Sequence, residues 1–263
     1  MAVPRRRNRA IPLDDYRRPR AVARQRMNQY RGRGTEGVLQ GGTHVLLYNP
    51  RMPRLPRRPP TRILIARHGQ TVTNREGRFC GHSETDLTDL GRRQAAALGQ
   101  RLAGIPIDAV YTSDFSRAIA TAAIALEGRG LTPNVDPELR ELHYGEWELE
   151  KERDVAKRYP EQHRLMRAED PAWQPPGGET TGMVRARTFA ALQRIAKVHT
   201  HHTVLIVSHG TAINCMLAET LAMAPSHTFR FDVANCGLSE VVMRRTTPII
   251  VRLNDTAHLV GLK

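Results

Sequence analysis

The sequence predicts an α/β domain with a mostly parallel central sheet, which begins near residue 61. Short apolar runs at 63–66, 107–112 and 203–207 predict buried strands. Segments with apolar residues at helical spacing follow each run, and strands that alternate with helices are typical of parallel sheets flanked by helices. The chain has 263 residues, 40% of them hydrophobic, which is enough for one sizeable domain.

The first half of this domain contains two predicted strand–helix pairs. The strand at 63–66 precedes a helix that Thr88 caps, with the apolar positions Ala95, Leu98 and Leu102. The strand at 107–112 precedes a second helix that ends near Gly128, with the apolar positions Phe115, Ile119, Ala122 and Leu126.

The second half continues the alternation. Residues 149–168 are highly charged and are expected to be helical, and a Pro/Gly loop follows at 175–178. A long helix is then predicted by the apolar spacing of Val184, Thr188, Leu192 and Ile195. The strand at 203–207 leads into a helix over 212–221, and the last two strands are expected at 241–243 and 249–251.

Residues 1–60 differ from the rest of the chain. Fifteen Arg against three acidic residues give this segment a net charge of +12, out of +14 for the whole chain. It contains many Pro and Gly residues and has no sustained hydrophobic period, so it is expected to be a disordered extension. A solvated tail and an arm that binds RNA, DNA or anionic lipid both remain open.

The cysteine content and the hydropathy of the sequence indicate a location for the protein. Three widely spaced cysteines, Cys80, Cys215 and Cys236, argue against a disulfide framework and against a zinc site. No apolar run approaches the roughly 20 residues of a membrane helix, and the Arg-rich start has no apolar leader region. A cytoplasmic protein with no bound metal and no membrane contact is therefore expected.

Two of the predicted strands end in a His-Gly pair. Arg67-His68-Gly69 follows the strand at 63–66, and Ser208-His209-Gly210 follows the strand at 203–207. Because ligands of such sheets bind outside the carboxyl ends of the strands, the two tripeptides are expected to lie side by side. A neutral imidazole can attack phosphorus while a guanidinium holds the phosphate oxygens, and a helix that opens at Gly210 offers free N–H groups to an anion.

These tripeptides, and further motifs in the same order, resemble the histidine phosphatase superfamily, which includes cofactor-dependent phosphoglycerate mutases and many acid phosphatases. The matching stretch covers roughly residues 61–256. Its other motifs are Gly77-Arg78, Leu87-Thr88, Ser116-Arg117-Ala118, Arg140-Glu141, Gly177-Gly178-Glu179-Thr180 and Asn254-Asp255. The resemblance implies a three-layer sandwich of the phosphoglycerate mutase type and a histidine phosphatase domain over residues 61–263.

The resemblance also implies a role for each matching residue. His68 would be the nucleophile that becomes phosphohistidine, and Glu141 would protonate the leaving oxygen and later activate water. Arg67, Arg117 and His209 would surround the phosphate and offset its charge. The further substrate contacts would be Gln70, Thr71, Asn74, Arg78 and Gly210. This chemistry needs no metal and no cofactor.

Within the family, the segment after Glu141 favours the phosphatase branch. The basic insert that mutases carry there, which grips a substrate carboxylate, is not visible. The prediction is therefore a metal-independent hydrolase of a small phosphorylated metabolite. Leu149 departs from the pattern, because phosphatases commonly carry Gly after Trp-Glu. Two alternatives stay open: phosphoglycerate mutase-type transfer, and a non-catalytic scaffold whose basic arm binds nucleic acid. Oligomeric state is not predicted.

Overall fold

The computed structural model describes residues 59–244 and 247–262. The basic extension predicted over 1–60 lies outside the described residues, except for Pro59 and Pro60. The boundary at residue 61 and the proposed nucleic-acid arm therefore stay predictions.

Six strands in the described part of the chain form one mixed sheet. They are β1 (Thr61–Arg67), β2 (Ala109–Thr112), β3 (Asn134–Val135), β4 (Thr203–Ser208), β5 (Leu238–Arg244) and β6 (Thr247–Asp255). Their order across the sheet is β3-β2-β4-β1-β5-β6. The first four run parallel, whereas β5 pairs antiparallel with both β1 and β6. The mostly parallel sheet of the prediction is confirmed, with an antiparallel hairpin at one side.

The five predicted helices are all present near their predicted places, but the described residues form seven helices in total. They are α1 (Val72–Glu76), α2 (Asp89–Leu102), α3 (Ser116–Ala125), α4 (Glu152–Arg158), α5 (Pro160–Arg167), α6 (Thr181–Val198) and α7 (Gly210–Thr220). The charged segment 149–168 forms two helices, because Pro160 has no N–H and begins a new one. Helix α1 and strand β3 were not predicted, since five and two residues are too short to show a period. No helix among the described residues is long and apolar enough to cross a membrane.

The sheet lies between two helical layers, which confirms the sandwich. Successive side chains of a strand point to opposite faces. On one face, Ile63 and Ile65 of β1 belong to a buried cluster with side chains of α6 and α7. On the other face, Leu64 and Ala66 belong to a cluster with side chains of α2 and α3. Because β1 and β4 are covered on both faces, they form the rigid centre from which the functional loops project.

Two glycines bring the loop after β1 against the start of α2. A Cβ atom on Gly69 would collide with the backbone carbonyl of Gly91, and a Cβ atom on Gly91 would collide with the backbone of Gln70. Thr88 caps α2 by accepting a hydrogen bond from the Gly91 N–H, and its own N–H donates to the Gln70 carbonyl. This close approach fixes the backbone directly after His68.

Candidate active site

The two His-Gly pairs lie side by side, as expected. Strands β1 and β4 are parallel neighbours, and Arg67 is in register with Ser208. His68 and His209 therefore leave the sheet at the same edge, and the centroids of their rings are 5.1 Å apart. Helix α7 begins directly after His209.

A cavity of about 260 Å³ opens at this edge of the sheet. Seven of the ten residues predicted for the site line it: Arg67, His68, Asn74, Arg78, Arg117, Glu141 and Gly210. They come from the end of β1 and the residue after it, from α1 and the segment that follows it, from α3, from the loop after the 3₁₀ turn Pro137–Leu139, and from α7. The fold thus brings together side chains that are far apart in the sequence.

The ring of His68 is held in one protonation state. Its Nδ1 lies 2.8 Å from the Gly69 carbonyl oxygen, which can only accept a hydrogen bond, so Nδ1 carries the proton. Burial, with the charges of Arg67 and Arg117 nearby, holds the pKa of His68 well below its ordinary value, and the bond to Gly69 only partly opposes this. The imidazole is therefore neutral, and Nε2 keeps its lone pair.

Arg67 is a half-buried cation with an unused donor. One terminal nitrogen donates to the Val233 carbonyl at 2.7 Å, whereas Nε is buried and has no acceptor in the described part of the chain. Burial lowers the pKa of Arg67, and nearby Glu141 opposes this shift. A guanidinium still stays charged, because its ordinary pKa lies far above neutrality. Gly210 leaves room for it: a Cβ atom there would lie 3.3 Å from the guanidinium carbon.

Arg117 is fixed in the first turn of α3 and is 1% exposed. Its terminal nitrogens donate to the carbonyls of Gly81 at 2.7 Å and Ser83 at 2.9 Å. Its Nε donates to Nδ1 of His209 at 3.2 Å. Three acceptors leave the guanidinium little freedom, so its remaining N–H groups have a set direction beside the cavity.

His209 is fully buried and positions the guanidinium of Arg117 through a hydrogen bond. A guanidinium can only donate, so Nδ1 of His209 must accept, and Nε2–H then donates to Ser113 Oγ at 2.6 Å. Burial, with the charge of Arg117 and the neighbouring His68, holds the pKa of His209 well below its ordinary value. Both ring nitrogens are thus bonded to protein groups, and His209 does not line the cavity.

Glu141 is seated on the N-terminus of α7. Its Oε1 accepts from the backbone N–H groups of Leu142 at 2.8 Å and Ala212 at 3.1 Å, and its Oε2 accepts from that of Thr211 at 3.1 Å. The free N–H groups expected to attract an anion at this helix start therefore hold a carboxylate of the protein itself. Arg187 donates to the Glu141 carbonyl at 2.9 Å and fixes the backbone as well.

Two predicted substrate contacts stabilise the loop instead of facing the cavity. Thr71 is fully buried and is the N-cap of α1, where it accepts from the Asn74 N–H at 3.2 Å. Gln70 accepts from the Thr88 hydroxyl at 2.9 Å, and its N–H donates to Gln94 at 2.9 Å. The physical reason is that a tight turn after the strand must satisfy its own backbone and side-chain polar groups. Neither residue lines the cavity.

Arg78 lies at the rim of the cavity. Its Nε pairs with Glu76 at 2.7 Å, and one terminal nitrogen donates to the Leu149 carbonyl at 2.8 Å. Leu149, the departure from the expected Gly, has a φ of 64°, in the left-handed region that favours glycine. The chain thus keeps the backbone conformation of a glycine there, with a half-exposed leucine side chain beside Arg78.

Two hydroxyl residues that support the site were not among the predicted ones. Ser113 binds His209, as described above, and Thr121 Oγ1 accepts from the Gly69 N–H at 3.0 Å. Ser113 directly follows β2, so it lies at the same edge of the sheet as the His-Gly pairs. A polar residue at that position is a sequence signal that could have identified it.

Glu148 joins the loop that holds Arg117 to the segment that bears Glu141. Its Oε1 accepts from the His82 N–H at 2.8 Å, and its Oε2 accepts from the Ser83 hydroxyl at 2.5 Å. No local pattern separates this carboxylate from the other charged residues near it. Within the described residues, no group of three or more His, Cys, Asp or Glu side chains could hold a metal ion.

The comparisons with known proteins agree with this fold. The model of the histidine phosphatase superfamily (branch 1) matches residues 63–256, and the chain belongs to this family. Phosphoserine phosphatase 1 of Hydrogenobacter thermophilus is 29% identical over 75% of this chain and 94% of its own length. The Yersinia enterocolitica protein named "Probable phosphoglycerate mutase GpmB" is 32% identical, with the same two shares covered.

A solved relative extends the likeness to three dimensions. The crystal structure of the alpha-ribazole phosphatase from Shigella flexneri superposes with a TM-score of 0.69 at 28% identity, over 77% of this chain and 99% of that one. The sandwich is therefore of the phosphoglycerate mutase type, and the chain is a histidine phosphatase.

Proposed function

We propose that this protein hydrolyses a small phosphomonoester through a phosphohistidine on His68, without a metal ion. One observation carries the proposal: a neutral imidazole, the guanidinium groups of Arg67 and Arg117, and a carboxylate converge on a single cavity. The tautomer of His68 supports its role, because the Gly69 carbonyl holds the proton on Nδ1 and leaves Nε2 as the nucleophile.

In the first step, Nε2 of His68 attacks phosphorus and the bond to the ester oxygen breaks. This step starts from protonated Glu141, which gives the proton of its carboxyl group to that oxygen and becomes the carboxylate, and the alcohol leaves. Arg67 and Arg117 hold the equatorial phosphate oxygens, where charge must be stabilised in the transition state. The buried Nε of Arg67 supports this assignment, since a donor without a protein acceptor is costly unless a ligand binds it.

In the second step, a water molecule attacks phosphorus and the P–N bond breaks. The Glu141 carboxylate takes the proton of the water, inorganic phosphate leaves, and His68 returns to its neutral state. Glu141 is suited to this proton transfer because three backbone N–H groups bind its two carboxylate oxygens and hold the side chain in one position at the cavity.

The size of the cavity favours a small metabolite over a phosphoprotein. Its volume of about 260 Å³ is slightly below the usual range for small-molecule sites, roughly 300–1,000 Å³. Relatives named as phosphatases of phosphoserine and alpha-ribazole also point to small phosphorylated substrates. Arg78 and the carboxylate of Asp232 line the cavity, so both can contact the part of the substrate beyond the phosphate.

Mutase-type transfer is the second candidate, since one relative carries that name. The two reactions share the first step and differ in the acceptor, which is water in a phosphatase and a substrate hydroxyl in a mutase. Release of inorganic phosphate in proportion to the alcohol product favours hydrolysis. Transfer to an added hydroxy acid, with little phosphate released, favours the mutase.

The test is hydrolysis of an aryl phosphate in the presence of EDTA. We expect wild-type turnover, loss of turnover in His68→Ala, and unchanged turnover in the matched control His227→Ala, an exposed histidine on the 3₁₀ turn Pro225–His227. Wild-type activity in His68→Ala would refute the nucleophile, and loss of wild-type activity on adding EDTA would refute the metal-free reaction.

A further inference from the structure

We infer that Asn235 is a positioning residue of the phosphate site: it orients the Asn74 amide so that its amino group faces the cavity. Asn74 lines the cavity, whereas Asn235 does not. The inference rests on the proposed function, because it names a donor to the same phosphate.

The orientation of the Asn74 amide follows from its neighbours. The atom that faces the Thr71 backbone N–H at 3.2 Å must be an acceptor, so it is Oδ1. The same oxygen accepts from Nδ2 of Asn235 at 3.2 Å. Both lone pairs of Oδ1 are thereby used. No described residue accepts from Nδ2 of Asn74, so this amino group is available to a ligand in the cavity.

The orientation of the Asn235 amide is fixed independently. One of its side-chain atoms lies 3.0 Å from the His68 carbonyl oxygen, which can only accept, so that atom is Nδ2. The two hydrogens of this nitrogen go to His68 and to Asn74. Both amide orientations therefore follow from backbone groups, and they agree with each other.

Asn235 therefore connects the nucleophile to a phosphate donor. Its neighbour Cys236 adds to this, because the Cys236 N–H lies 3.1 Å from the Arg67 carbonyl and 3.3 Å from the His68 carbonyl. Asn235 and Cys236 thus fix the backbone at His68 by hydrogen bonds to its carbonyl oxygen and to that of Arg67. Without Asn235, the Thr71 N–H alone would hold Asn74, and the amide could turn away from the phosphate.

The test measures binding of inorganic phosphate by calorimetry, together with its inhibition constant against aryl phosphate hydrolysis. Removal of the Asn235 amide in N235A should weaken phosphate binding by about fivefold or more, since one hydrogen bond to a charged group is disturbed. KM should rise more than kcat falls. The matched control is N134A, which removes an amide that donates to the Val110 carbonyl at 3.0 Å outside the cavity. It should bind phosphate like the wild type.

A double-mutant cycle with N74A separates positioning from general damage. If Asn235 acts through Asn74, N235A should cost less than about twofold in phosphate binding in the N74A background. An undiminished penalty there, or wild-type binding by N235A, overturns the inference. If N235A fails to fold, N235S replaces it in the same cycle. Phosphate binding does not require turnover. Failure of the proposed function would therefore appear in a separate measurement, as wild-type turnover by the His68→Ala variant.

Discussion

Removal of two adjacent hydroxyl groups at the end of β2 should change the stability of the protein in opposite directions. Ser113 is fully buried and accepts from His209 at 2.6 Å. Thr112 is also fully buried, but its hydroxyl has no partner in the described residues. Ser113→Ala therefore removes a used acceptor, whereas Thr112→Val removes an unpaired one at nearly constant volume.

The magnitudes follow from the two environments. Ser113→Ala leaves the Nε2–H of His209 buried without a partner, which costs about 1–3 kcal/mol of the free energy of unfolding. In a domain of this size, that lowers the melting temperature by about 2–12 °C. The ring cannot escape by changing tautomer, because a proton on Nδ1 would face the Nε–H of Arg117. Thr112→Val relieves an unpaired hydroxyl and should raise stability by about 0.5–1 kcal/mol.

Urea unfolding of both variants, with turnover measured in parallel, checks this reasoning. Ser113→Ala should also lower kcat, since His209 supports the guanidinium of Arg117, while Thr112→Val should keep wild-type kcat. A Ser113→Ala protein as stable as the wild type, or a Thr112→Val protein that is less stable, would contradict the assigned hydrogen bonds.

Three further predictions concern pH and backbone. His68 and His209 stay neutral in the folded protein but take up protons in the unfolded chain below pH about 6.5. The free energy of unfolding should therefore decrease as the pH is lowered below that value, by up to about 1.4 kcal/mol per pH unit for each histidine. Urea titrations at pH 7.5 and 5.5 test this, and equal stabilities would contradict it. Gly210→Ala places a Cβ atom 3.3 Å from the Arg67 guanidinium; kcat should drop about tenfold while the melting temperature stays within about 3 °C, and unchanged kcat would count against the role of Arg67. Leu149→Gly should unfold no more easily than the wild type in thermal melts, because glycine favours a φ of 64°; a clear loss of stability would contradict this.

The centre of the site was predictable because it follows from strand direction. Two buried strands that each end in His-Gly place their imidazoles at one edge of a parallel sheet. Arg117 was predicted from the resemblance to the histidine phosphatase superfamily, and its place in the first turn of α3, next to the same edge, fits that prediction. These residues depend on local elements whose periodic patterns are strong.

The supporting contacts were not predictable, because they join distant parts of the chain. Glu141 is held by N–H groups 70 and 71 residues away, and Asn235 reaches a carbonyl 167 residues away. No local pattern encodes such pairs. Gln70 and Thr71 show the reverse case. They are close to His68 in sequence and were therefore expected to contact substrate, but their polar groups stabilise the turn and cap α1.

The central claim is that His68 carries the phosphoryl group, and its most direct test is to isolate that species. The Glu141→Ala variant, incubated with an aryl phosphate and quenched rapidly, should accumulate a phosphoenzyme, because the group that activates water is missing. Mass spectrometry should locate one phosphate on the peptide that contains His68. Phosphate on another residue, or none at any time point while the alcohol product still forms, would contradict the account.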